Sequence, residues 1–213
     1  MSLLPEAPVL AAYGGACLVL AATPGPEMAL FLQKTLGLGR AHGFSALAGV
    51  MTGVMVHTFA AALGLSALIA TSARLYDALK IVGAVYLLYL AWRSIRHGTA
   101  LKVDVGGAER TKLTATFGSG VLIDLTNPKM VLFFVTFLPQ FVDAGDPDAG
   151  RRLFALGLGF VVVTTLVNGA VILAAARCVA AARRSPGALR AFDYAVAALM
   201  SGFAARLLWS RAR

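Results

Sequence analysis

The sequence predicts an all-α polytopic membrane protein: six transmembrane helices in two inverted three-helix repeats, with helices 1 and 4 broken. Three observations predict it. Of 213 residues, 59% are hydrophobic and 14% charged, where a soluble domain carries about 25% charged residues; the mean hydropathy is +0.78. Six apolar segments follow one another along the chain. Two of them, in matching positions of the two halves, are interrupted by proline, which is the sequence signature of discontinuous helices meeting near the bilayer midplane.

The first segment runs from about Val9 to Leu32 and holds the break Thr23-Pro24-Gly25-Pro26-Glu27. Pro24 and Pro26 lack an N–H, so the carbonyls of Leu20 and Ala22 lose their helical partners, and Gly25 permits the turn. The second lies within the charge-free run Gly43–Ala73, longer than the roughly 20 residues a span needs. Its Gly49 and Gly53, preceded by Gly43, form a GxxxG that lets another helix approach closely. The third has a short charge-free core, Ile81–Trp92, whose flanking Lys80 and Arg93 can snorkel outward. Its Tyr86, Tyr89 and Trp92 suit an interfacial belt. The fourth, Leu113 to about Phe141, carries the break Asp124-Leu125-Thr126-Asn127-Pro128-Lys129. The fifth is Leu153–Ala176, and the sixth runs from about Tyr194 to Ala205, between Asp193 and Arg206.

Each half therefore reads broken span, long uncharged span, short span bounded by charges. Lys80 to Arg93 and Asp193 to Arg206 have the same spacing. The expected division is a first triplet over residues 1–96, a connecting loop over 97–112 and a second triplet over 113–213. Three spans per half invert the second relative to the first.

The net charge is +9, but the basic residues fall between apolar runs and not on one face, which argues against nucleic acid as a partner. With both termini outside, the inner loops hold eleven Lys and Arg, against seven the other way round; the excess places both termini outside. The loop of Asp143, Asp146 and Asp148 then faces out. Only Glu6 is charged before the first apolar run, so no cleaved signal peptide is expected. Cys17 and Cys178 form no motif, and neither a disulfide, a metal site nor a cofactor is expected.

An ionisable residue inside a span is costly and is functional by default. Asp124 and Lys129 flank the second break and Glu27 follows the first. Five residues apart, Asp124 and Lys129 share no face of a straight helix, but the break at Pro128 can bring them to one cavity. Their structural alternative is a buried ion pair that holds the fourth segment. Asn127 reads as a helix cap, a ligand contact or both. Glu27 reads as an acid stabilising a helix N-terminus, or as a carboxylate that binds an ammonium or exchanges a proton. Thr23 can cap or contact ligand. His57, one turn after Gly53, reads as packing or as a proton relay, and Asn168 as helix glue or as a cavity residue. Phe133, Phe134, Phe137 and Phe141 read as lipid-facing or core surface.

At these residues the chain resembles the LysE/RhtB family of bacterial amino-acid exporters. The matches are Thr23-Pro24-Gly25-Pro26-Glu27; the glycines at 39, 43, 49 and 53; Gly64-Leu65; Gly83-Ala84-Val85-Tyr86-Leu87-Leu88-Tyr89-Leu90; Asn127-Pro128-Lys129; Phe133-Phe134; and Pro139-Gln140-Phe141. They run in order through both halves. The resemblance implies efflux of amino acids or their derivatives across the bacterial inner membrane, driven by the proton motive force. Its implied partners are an amino-acid-like solute, protons and the lipid bilayer, and it leaves a homo-oligomer open. Where that family often has a second Asn three residues before Asn-Pro-Lys, this chain has Asp124, a departure that points to a more cationic ligand.

Two other classes were weighed. An intramembrane enzyme needs a nucleophile–base pair or a metal cluster, whereas His42, His57 and His97 are scattered; no enzyme is expected. A metal or inorganic-ion transporter would have only Glu27 and Asp124 as hard ligands in the spans.

Overall fold

The computed structural model describes residues 6–65, 78, 81–85, 88–89, 91–92, 95–96, 111–143, 146–184 and 186–209, and the regular structure among them is helical. Helix α1 is Ala7–Ala22 and α2 is Pro26–Leu38. Helix α3, Arg40–Ala60, runs on through a π-helical turn at Ala61–Leu65. Helix α4 is Leu113–Thr126, and α5, Pro128–Leu132, continues through a π-helical turn, Phe133–Phe137, and a 3₁₀ turn, Leu138–Phe141. Helices α6, Ala149–Leu173, α7, Ala175–Arg184, and α8, Pro186–Trp209, complete the order.

Arg40–Leu65 and Ala149–Leu173 are each long and apolar enough to cross a membrane. The pairs α1–α2 and α4–(Pro128–Phe141) each pass the same test as one broken span, bent by 53° and 50°. Both bends fall where the sequence places proline at the first helical position, tolerated there because no intrahelical donor is lost. The first, second, fourth and fifth segments are thus helical, and the first and fourth break where the sequence places the prolines, as a broken span or a re-entrant loop. In the third, residues 81–85, 88–89, 91–92 and 95–96 are helical. Its flanking Lys80 and Arg93, along with Tyr86 and residues 97–110 of the connecting loop, lie outside the described residues.

The sixth segment differs from expectation. Asp193 does not bound it: the helix starts at Pro186, and Asp193 is buried within it at 4% exposure. A charge reads as a span end because burying one is costly; here the helix begins where proline can start it, and the carboxylate lies buried within it.

The core lies where α3 packs against α4, α2 and α6, with α1 on α6. Glycine brings α3 and α4 together. A Cβ on Gly49 would collide with the carbonyl of Phe117, and one on Gly120 with the carbonyl of Ala46. The two helices therefore touch backbone to backbone, as the GxxxG predicted. Phe133, Phe134, Phe137 and Phe141 are buried, so their place is the core and not the lipid face. Phe160 of α6 stacks beside Phe133 at 4.4 Å, and the Tyr13 ring meets Phe141 edge-on at 5.0 Å. The Tyr13 hydroxyl donates to the Leu156 carbonyl at 2.7 Å, satisfying its polar end in the interior. Thr136, in the π-helical turn, packs against Gly83 so closely that a Cβ there would clash.

Candidate functional site

The two breaks, a hundred residues apart in sequence, meet in space. At the first, α1 ends with the Thr23 hydroxyl donating back to the Val19 carbonyl at 2.6 Å. Pro24 and extended Gly25 (φ −155°, ψ −174°) carry the chain over to α2. Glu27 then sits in the first turn of α2, buried at 5% exposure, where the helix dipole favours its charge. At the second, Asn127 caps α5: its Oδ1 accepts from the Lys129 N–H at 3.0 Å. Its Nδ2 donates across to the Glu27 Oε1. Both ends of the amide are thus used, one to cap and one to bind the other break, so the cap and contact readings of Asn127 hold together. The Lys129 ammonium completes the junction, 3.7 Å from Glu27 Oε2 and within 3.5 Å of where a Cβ on Gly25 would stand.

Lys129 therefore pairs with Glu27 across the breaks and not with Asp124 along its own segment, so the structural alternative of an Asp124–Lys129 ion pair is not the arrangement found. The reason is geometric. The chain turns at Asn127, and Lys129, in the first turn of α5, is carried toward α2 while Asp124 stays on α4 facing α3.

Asp124 is fully buried. Its recess exists because residue 53 is glycine: a Cβ there would collide with the carboxylate. Among the described residues, neither carboxylate oxygen has a hydrogen-bond partner. His57, one turn beyond Gly53, brings Nε2 to 3.6 Å from Asp124 Oδ2 and 3.4 Å from the Asp124 main-chain carbonyl. That carbonyl is the one Pro128 deprives of its usual donor; the Asn127 N–H takes part of the role at 3.0 Å. The His57 imidazole lies over Phe134, ring centres 5.6 Å apart and planes 23° apart. Asn168 is buried on α6, and among the described residues no hydrogen bond joins it to the breaks.

Glu27, Asn127 and Lys129 are thus brought into contact, with Pro24, Gly25, Pro26 and Pro128 shaping the backbone around them. Thr23 caps α1, Asp124 and His57 form an adjacent pair, and Asn168 stands apart. Two features escaped the sequence reading: the Glu27–Lys129 pair and the Asp124–His57 pair. The second had a signal. Gly53 and His57 are four apart and share a helix face, so a helix close enough to need Gly53 must also face His57. The first had none, because local pattern does not say which distant break a charge will meet.

The site offers an ammonium, a carboxylate and an amide with both polarities, together with the α2 N-terminus.

The sequence profile of the LysE type translocator family matches residues 18–211. An uncharacterized membrane protein of Pseudomonas aeruginosa is 32% identical over 191 residues, covering 86% of this chain and 87% of that protein. The leucine efflux proteins of Salmonella choleraesuis and Salmonella typhimurium are each 30% identical over 184 residues, covering 86% of this chain and 87% of theirs. No solved structure matches the chain.

Proposed function

The chain belongs to the LysE type translocator family, and from that premise we propose that it is a secondary transporter exporting amino acids or their derivatives across the bacterial inner membrane. The observation that carries this reading is the junction of Glu27, Asn127 and Lys129 where the two broken spans meet. In the absence of substrate, Glu27 and Lys129 neutralise one another. An amino acid supplies the same two charges. Its carboxylate takes Lys129 and the N-terminal end of α2, and its ammonium takes Glu27 and the Leu20 and Ala22 carbonyls freed by Pro24 and Pro26. One ion pair is exchanged for two, and neither buried charge is left alone at any stage. Asn127 releases or keeps Glu27 as the substrate enters.

Alternating access then rocks one triplet of spans against the other around this junction, with six spans in two inverted triplets and both termini outside. The proton motive force drives the cycle. The relatives named for leucine efflux favour an organic cargo over a metal or inorganic ion.

The test is export from expressing cells loaded with a panel of neutral and basic amino acids, with divalent cations alongside. Faster appearance of an amino acid outside is the expected result; export of cations alone, or of nothing, overturns the reading. For the topology, single cysteines at Arg96 and Asp143 should be labelled from opposite faces of the membrane. Labelling from one face would mean that the fourth segment does not cross.

A further inference from the structure

The exchange of Glu27 and Lys129 for a zwitterion leaves Asp124 unused. Its carboxylate is wholly buried, neither oxygen has a hydrogen-bond partner among the described residues, and Gly53 is what makes room for it. Among the described residues, the titratable groups that face it come from three elements: His57 from α3, Glu27 from α2 and Lys129 from α5. Lys129 is held by Glu27 at 3.7 Å. The buried polar residues of α6 described in the structure, Thr164 and Asn168, do not titrate. That leaves His57 Nε2, 3.6 Å from Oδ2, as the nearest group able to bring a proton. The His57 side chain keeps 14% of its surface exposed, whereas Asp124 keeps none.

We propose that Asp124 and His57 form a proton-binding site separate from the amino-acid site, with Asp124 the acceptor and His57 its connection to water. The inference rests on the export reading above and names the group that couples it to protons. On the Gly53 side the carboxylate already fills the space that a Cβ would take. A hard metal cation would need several further oxygen ligands. A proton needs no volume and removes the cost of an unpaired buried carboxylate. The step balances: one proton from the aqueous side binds His57 Nδ1, and the proton on Nε2 passes to Asp124 Oδ2. The imidazole ends neutral in its other tautomer and the carboxyl ends neutral; deprotonation reverses both.

The experiment uses the purified full-length protein in liposomes, with radiolabelled leucine and lysine as probes. Two rates are read: exchange at equal pH, and net uptake driven by a pH gradient. Wild type should do both. Asp124→Asn should lose gradient-driven uptake and still exchange, and His57→Gln should displace the pH profile of driven uptake. Asp124→Asn that loses exchange as well, while folded, places the carboxylate in the substrate site and overturns the proposal. Retention of gradient-driven uptake overturns it too, as does a sodium gradient replacing the pH gradient in wild type. If Asp124→Asn is not recovered folded, His57→Gln decides, and an unchanged pH profile is then fatal. Wild type that exchanges neither amino acid overturns the export reading itself, which separates that failure from this one.

Discussion

The two broken spans bend almost equally, by 53° and 50°, yet they are built differently. The first uses two prolines around an extended glycine, and no side chain caps α2. The second uses one proline and the Asn127 cap. Setting Pro26 against Pro128 places Glu27 opposite Lys129, Gly25 opposite Asn127 and Ala22 opposite Asp124. The first two correspondences are complementary: an acid faces a base, and a bare backbone faces an amide. The third is not, because a methyl group in one half answers to a buried carboxylate in the other. Bend geometry is thus shared between the halves, while charge is divided between them. A site made this way needs both halves to be neutral, and its one surplus acid is available for another task.

The largest test of the division removes one charge. Lys129→Ala and Glu27→Gln should each abolish export in cells while the protein stays in the membrane. Leaving one member of a buried pair alone typically costs about 3–5 kcal/mol. In detergent melts the double variant Glu27→Gln/Lys129→Met should therefore lose less than the two singles added together. Strict additivity would mean that the two breaks do not share their charges.

A smaller effect separates the packing of the two broken spans. Gly120 of α4 lies against the backbone of α3, whereas Gly14 and Gly15 of α1 have no atom within 4 Å of an added Cβ. Gly120→Ala should destabilise by about 1–3 kcal/mol, and Gly14→Ala should leave the melting temperature nearly unchanged. Equal responses would show that the halves are packed alike.

Next comes the cap. Asn127→Ala removes the acceptor for the Lys129 N–H and the donor to Glu27, an expected loss of about 1–2 kcal/mol. At the breaks themselves, the smaller effect is that of Gly25→Ala. The backbone there is extended and the new methyl would stand 3.5 Å from the Lys129 ammonium, so the change in stability should stay below about 1 kcal/mol. Should Gly25→Ala prove the more damaging of the two, the first break would depend on that glycine and not on its prolines.

What was legible in the sequence was what local chemistry determines. Pro24, Pro26 and Pro128 announced the bends, and Gly49 and Gly53 the close helix contact. Partnership was not legible. Lys129 has an acid five residues away in sequence and another a hundred residues away, and it is the turn at Asn127 that directs it to the second. Asp193 misled for a related reason. A charge in an apolar stretch marks a span end only when nothing covers it, and cover is a property of the folded protein.

The glycine contact between α3 and α4 has a mechanical consequence. Each helix belongs to a different half of the chain, and at Gly49 and Gly120 they touch through backbone with no side chain between them. A sliding motion at that point would separate Gly49 from Phe117 and Gly120 from Ala46 together, whereas a small rotation about it separates neither. If the halves rock as proposed, the contact would serve as a pivot, admitting tilt more readily than translation, with leverage increasing with distance from it. The Gly53–Asp124 recess, one turn of α3 beyond Gly49, would lie close to this fulcrum and move little. The outer ends of the helices would sweep the widest arcs.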